Sequence, residues 1–349
     1  MDDRALTGIG VVVIGRNEGR RLVRCLASVS GLRDVVYVDS GSTDGSVERA
    51  RALGVEVIDL AVPPAFTAAR ARNVGIAALR ARAPDFAFVQ TIDGDCELAP
   101  GWLDAAAAAM TDARNGIVIG RLRERHPERS VYNALCDHEW DGAVGEAPGC
   151  GGIALIRVAA LEAAGGYRND MIAGEDTEMA MRVRKAGWRI ERIGAEMALH
   201  DAAITRFGQW WRRQGRGGHG FAEMAWLHPD ARWPDWPRTV RSILAWGLAM
   251  PIALVASLIF LVVLSPWWLI LSLALILPWP LKMAQIARAK RRAGLPPRVA
   301  RASGVLTMLG KLSEVQGLLR FHVNRVIGRG SRIIEYKGPA PRENKGSVA

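Results

Sequence analysis

The chain has 349 residues, half of them hydrophobic, which excludes a disulfide-stapled miniprotein and disorder over most of its length. Its four cysteines contain no CxxC pair, so they offer no zinc or disulfide framework and fit a reducing compartment. The formal charge of +11 is unevenly spread: residues 240–349 hold 16 Lys+Arg against 3 Asp+Glu, whereas the 239 before them hold 30 against 32. A slightly acidic front part joined to an apolar, basic rear part is the pattern of a membrane-bound enzyme, not of a nucleic-acid-binding protein.

In chain order, residues 1–8 carry Asp2, Asp3 and Arg4 and do not read as a signal peptide. Short β-branched runs then alternate with helical patterns: a strand over 9–14, a helix over 20–29, a strand over 35–38, a helix over 45–53 and a strand over 55–58. Beyond Pro63 and Pro64 follow a helix over 67–81, a strand over 86–91 and a helix over 101–110. This rhythm predicts an α/β fold, a mainly parallel sheet with helices on both faces, whose ligands bind beyond the carboxyl ends of the strands. The polar residues at those ends are Arg16, Asn17 and Glu18, then Asp39 to Asp44, then Asp93 and Asp95.

Three groups carry candidate chemistry. In Thr91-Ile92-Asp93-Gly94-Asp95 an extended backbone puts both carboxylates on one side, suited to Mg²⁺ or Mn²⁺ completed by water and diphosphate oxygens; a solvated turn is the competing reading. An EF-hand is a poorer explanation, because Leu98 stands where the sharp turn requires Gly. Asp39, leaving a buried strand, is placed either to meet a base or ribose or simply to end the strand, and Asp44 is suited to cap the next helix. Glu175, Asp176 and Glu178 open a helix, where acids complement the macrodipole and one of them is a candidate general base. Arg70, Arg72, Arg206, Arg212, Arg213 and Arg216 bind an anionic leaving group or headgroup, or form a solvated basic face.

From Ser242 to Leu281 there are 40 residues without Asp, Glu, Lys or Arg, enough helix for two membrane crossings hinged at Ser265 and Pro266. Arg238 and Arg241 precede the first span, while Lys282, Arg288, Lys290, Arg291, Arg292, Arg298 and Arg301 follow the second. Both flanks, and the front domain with them, are therefore expected in the cytoplasm. The expected organisation is a domain over 1–239, two spans within 240–284, a basic amphipathic juxtamembrane region over 285–337 and a disordered tail over 338–349. In the third segment Val305, Leu306, Leu309, Leu312, Val315, Leu318, Leu319 and Val323 recur at helical spacing, either along the membrane surface or against the front domain.

Taken together, these segments resemble the family 2 inverting glycosyltransferases, which have the GT-A fold. The resemblance runs through Gly15-Arg16-Asn17-Glu18, Val38-Asp39-Ser40-Gly41-Ser42-Thr43-Asp44, Ala71-Arg72-Asn73 and Asp93-Gly94-Asp95. It continues through Gly149-Cys150-Gly151-Gly152, Gly165-Gly166-Tyr167, Gly174-Glu175-Asp176-Thr177-Glu178 and Ala186-Gly187-Trp188, covering about residues 9–195. It implies that Asp39 contacts the nucleobase, that Arg72 holds the nucleotide together with Arg16 and Glu18, and that Asp93 approaches ribose or metal. It also implies that Asp95 binds the divalent ion, Mg²⁺ or Mn²⁺, and that Asp176 is the base, with Glu175, Gln209, Trp211 and Arg212 in the acceptor region.

The implied reaction moves one sugar from a nucleotide sugar, a UDP-sugar by expectation, to a lipid-linked or glycan acceptor at a bacterial inner or other plasma membrane. Processive members carry Gln-x-x-Arg-Trp, whereas Gln209-Trp210-Trp211-Arg212-Arg213 has Arg213 in the Trp position, which argues for single transfer. A processive synthase and an inactive scaffold of the same fold are the alternatives. His200 is either a further metal ligand or a structural histidine.

Overall fold

The computed structural model describes residues 8–329. The tail over 338–349 and the end of the juxtamembrane region lie outside the described residues. The described chain divides into two compact units, residues 8–126 with 136–203 and residues 127–135 with 204–329. Packing separates the units at 203/204, well before the uncharged run that begins at Ser242.

The first unit contains strands β1 (Ile9–Gly15), β2 (Val35–Asp39), β3 (Glu56–Asp59), β4 (Phe88–Asp93), β5 (Cys96–Leu98), β6 (Asn115–Glu124), β7 (Gly145–Glu146), β8 (Ala154–Arg157) and β9 (Arg189–His200). Its helices are α1 (Arg20–Ser28), α2 (Ser46–Ala52), α3 (Ala68–Arg82) and α4 (Trp102–Ala109), then α6 (Val158–Ala163) and α7 (Glu175–Lys185); α5 (Val131–Trp140) begins in the second unit and ends in the first. One sheet runs β3-β2-β1-β4-β8-β6-β9-β5, with β7 on β9. Val11, Val12 and Val13 are all fully buried although consecutive strand side chains point to opposite faces, so both faces are covered. On one face α3 lies close because Gly75 has no side chain: a Cβ there would collide with Val12 and Val38.

The sheet departs from the expected mainly parallel one. β1, β2, β3 and β4 pair in parallel, as the alternating rhythm requires, and β6 pairs with β9 in parallel. β8, however, lies antiparallel between β4 and β6, and β5 and β7 run antiparallel to β9. The sheet is therefore mixed, with β8 inserted between β4 and β6 and running against both. β4 also begins and ends two residues later than the reading of 86–91, so Asp93 is its last residue. The registers Gly15↔Asp39 and Ile14↔Asp93 align the carboxyl ends of β1, β2 and β4, and the site lies along that line.

The second unit is helical. It holds α8 (Phe207–Leu227), α9 (Trp236–Leu244) continuing through a π-helical turn into α10 (Met250–Val263), α11 (Trp268–Ile276) leading into α12 (Pro278–Arg292), and α13 (Pro297–Val326). The helices over Trp236–Val263 and Trp268–Arg292 are long and apolar enough to cross a membrane, and only 11% and 6% of their apolar windows are buried. Between them Ser257 and Ser272 share a hydrogen bond of 2.9 Å, and Trp246 meets Trp279 with ring centroids 6.1 Å apart.

α13 buries Met308, Val315, Leu318 and Phe321 together with Ser303, Gly304, Gly310, Ser313 and Gly317, while Val305, Leu319 and Val323 remain exposed. Small residues let backbones approach: a Cβ on Gly218 of α8 would strike the Glu314 backbone, and one on Gly317 would strike Gly215. Ser313 Oγ donates to the Trp211 carbonyl at 2.6 Å.

His219 of α8 is fully buried and meets the Phe321 ring edge-on at 5.4 Å. Burial, and secondarily Arg320, hold its pKa down at about 4, against an ordinary value near 6.5. The unfolded chain then binds the extra proton first, so this contribution to stability is intact above pH 6.5 and is lost progressively down to about pH 4. Lowering the pH from 7 to 5 is expected to cost about 2 kcal/mol through this group. His219→Gln should flatten the pH dependence of the helix-unfolding midpoint; identical slopes in both proteins would exclude the effect.

Candidate active site

The loops after β1 and β2 are stitched together by short side chains. The Asn17 N–H donates to Ser42 Oγ at 2.9 Å, and the Thr43 N–H donates to Asn17 Oδ1 at 2.8 Å. Asn17 takes a φ of 58°, a left-handed conformation that Asn tolerates better than most residues. The Gly19 N–H donates to Ser46 Oγ at 3.0 Å, and Ser46 donates in turn to Asp44 Oδ1 through both its N–H and its hydroxyl. Asp44 thus satisfies the first turn of α2 from one residue before the N-cap, close to its expected capping role.

Asp39 is 2% exposed and accepts four hydrogen bonds from its own neighbourhood: Tyr37 Oη (2.7 Å), Ser42 Oγ (2.5 Å), and the N–H groups of Gly41 (2.9 Å) and Ser42 (2.7 Å). All the accepting positions of this carboxylate are filled, so here it orders the loop. Burial, followed by the Asp39 contact, raises the Tyr37 phenol pKa, so Tyr37 remains a donor. Nearby, exposed Arg16 lies over the Phe66 ring at 5.7 Å, and Glu18 pairs with Arg21 at 2.8 Å.

Arg72 on α3 is the centre of the charged cluster. It is 1% exposed, and its Nη2 lies 2.8 Å from Asp93 Oδ1. Its Nη1 lies 2.9 Å from both Glu175 Oε1 and Asp176 Oδ1, and its guanidinium sits 5.6 Å from the Tyr167 ring centroid. Burial alone would lower the Arg72 pKa, but Asp176, Asp93 and Glu175 together outweigh it and hold the group above its ordinary value. A cation drawn from one helix therefore ties the end of β4 to the first turn of α7, whose N-cap Gly174 takes a left-handed φ of 79°. Gly152 makes room for this: a Cβ there would collide with Arg72 and Asp93.

Asp95 does not continue the extended strand. β4 ends at Asp93, Gly94 and Asp95 form a turn, and the Gly94 N–H donates to the Ile14 carbonyl at 2.7 Å. The same-side argument from strand periodicity consequently does not apply. Pairing of Cys96 with His200 across β5 and β9 instead sets His200 Nε2 at 3.2 Å from Asp95 Oδ2. His200 is the last residue of β9 and packs against Trp140 with centroids 4.5 Å apart. Ligand atoms of Asp95, Cys96 and His200 all lie within 4.8 Å of one another. Burial pushes the Cys96 thiol well up and leaves it protonated, so the available donors are a carboxylate and an imidazole, a set that fits a divalent ion.

The remaining candidates are placed as follows. Arg70 donates to the carbonyls of Ala61, Pro64 and Ala65 and holds that loop. Gln209, Trp211 and Arg212 belong to the second unit, where Gln209 Oε1 accepts from the N–H groups of Thr205 and Arg206 at the start of α8. Trp211 Nε1 donates to Gln316 at 3.0 Å, and Arg212 is exposed. Ser42 and Tyr167 stand inside motifs that the sequence singles out, with no role assigned to either, whereas Tyr37 lies outside those motifs and its signal is its place two residues before Asp39 on the same strand face.

The strand ends of this mixed α/β sheet thus present a buried Arg–carboxylate cluster and a carboxylate–imidazole pair. Residues 10–142 match the family model "Glycosyl transferase family 2". Over 240 residues it is 29% identical to the pre-mycofactocin glycosyltransferase of Mycobacterium tuberculosis, in two strains, with 65% of this chain and 49% of that protein aligned. The chain spans about half the length of the curated relatives it matches. Its fold is similar to that of the mannosyltransferase PcManGT from Pyrobaculum calidifontis, solved with GDP-Man and Mn²⁺, at a TM-score of 0.57 and 18% identity over 89% of this chain and 87% of that one.

Proposed function

We propose that the chain is a metal-dependent inverting glycosyltransferase, anchored by its helical hairpin, that moves one sugar from a nucleotide sugar to a lipid-linked or membrane-proximal acceptor. The observation that carries this reading is the convergence of Asp93, Glu175 and Asp176 on Arg72 at the carboxyl end of β4. Asp176 takes the proton from the acceptor hydroxyl as it attacks the anomeric carbon, and Arg72 fixes the direction of that carboxylate. The Asp39 loop, with Arg16 above Phe66, borders the donor site. Asp95 and His200, with Asp93 alongside, would hold Mn²⁺ or Mg²⁺, which as a Lewis acid offsets charge on the departing diphosphate.

The decisive experiment incubates the full chain in lipid with UDP- and GDP-sugars and a lipid-linked acceptor, and follows release of nucleoside diphosphate and anomeric configuration of the product. Retention of configuration, or a polymeric product, would overturn the reading. Metal removal supplies a separate test. EDTA is expected to abolish turnover and Mn²⁺ to restore it. Asp95→Asn and His200→Ala should each weaken Mn²⁺ binding, measured calorimetrically, by roughly 10- to 100-fold. Unchanged affinity in either variant would remove that residue from the metal site.

A further inference from the structure

Between Asp235 and Glu314 the chain has no acidic residue, yet arginines gather where the second long helix ends. Arg288, Arg291, Arg292, Arg298 and Arg301 are all exposed, and none pairs with an acid among the described residues. Arg288 lies 20 residues beyond Trp268, about 30 Å of helix, which is the thickness of a hydrocarbon core. α13 then returns beside α12, since a Cβ on Gly304 would strike Met283 and Ala287. That contact brings Arg298 and Arg301, on the turns before Gly304, alongside Arg288 to Arg292. Arg241, exposed just ahead of the uncharged stretch, marks the same end of the hairpin.

We propose that these five arginines form a docking rim for the phosphodiester headgroups of anionic phospholipids. The inference rests on the membrane reading of the hairpin and deepens it. A single membrane span tolerates basic flanks of any lipid environment, but five uncompensated guanidiniums at one headgroup level attract anionic lipid, and planar guanidinium matches a phosphodiester bidentately. The apolar helices fix the depth of the rim and the arginines select the lipid.

The test places the full chain in nanodiscs of phosphatidylcholine with one third phosphatidylglycerol, then extracts it in mild detergent and quantifies the co-purifying lipid. Phosphatidylglycerol should be enriched roughly threefold or more over its bulk ratio. The enrichment should collapse towards the bulk ratio in the variant with Arg288, Arg291, Arg292, Arg298 and Arg301 all replaced by Gln, and in wild type as NaCl is raised to about 1 M. No enrichment in wild type, or enrichment indifferent to the substitutions or to salt, would overturn the proposal while leaving the hairpin intact. A chain that fails to enter either neutral or anionic nanodiscs would overturn the membrane reading and this proposal together.

Discussion

Asp176→Asn is expected to lower turnover about a thousandfold while donor affinity changes only a few fold, the pattern of a lost general base. The substitution keeps the size of the side chain and removes its capacity to take a proton. Asp176 lies in the first turn of α7, 15% exposed at its side chain, so it is accessible to an acceptor while held at 2.9 Å by Arg72. Glu175, one residue earlier, also meets Arg72 but is only 5% exposed at its side chain. Glu175→Gln should therefore affect stability more than chemistry. Equal losses of turnover in the two variants would leave the base unassigned, and near-wild-type turnover in Asp176→Asn would exclude it.

Arg72→Met is expected to destabilise the first unit by about 3–5 kcal/mol, the cost of stranding buried carboxylates without their cation. Asp93, Glu175 and Asp176 would then repel one another across the space the guanidinium occupied. Arg72→Lys keeps the charge but cannot span three carboxylates from two planar nitrogens, so it should recover part of the stability and little of the turnover. The split between parameters is informative. A residue that orients Asp176 loses kcat, whereas a residue that grips the nucleotide loses donor affinity. A rise in donor Kd with kcat unchanged would return Arg72 to the nucleotide-holding role implied by family resemblance. An unfolding free energy within 1 kcal/mol of wild type would show that the cluster is not coupled.

The parallel half of the fold was legible because its signal is local. β1, β2 and β4 are largely buried and read as runs rich in β-branched residues, while β3, at the sheet edge, keeps Val57 and Ile58 between exposed acids. β5 to β9 were not legible. β7 has two residues, β5 has three, and β9 alternates irregularly because its register with β6 shifts at Arg121 and Leu122. The site shows the same division. Asp39, Asp93, Asp95 and Asp176 stand out at strand and helix ends, while Tyr167 gains its place only beside Arg72, which comes from a distant segment. The sequence admits two readings of His200 because its partner is 105 residues away.

From the amino-acid order alone came the α/β rhythm, the uncharged stretch of 40 residues and the carboxylates at the strand ends, since each depends on spacing along a single segment. Tertiary structure decided that Asp39 turns inward, that Arg72 gathers three acids, that Asp95 faces His200 and that α13 packs through its small residues. These outcomes depend on which strands become neighbours and how closely helices approach. Both are set by the balance of burial and hydrogen bonding over the whole unit, which no single segment carries.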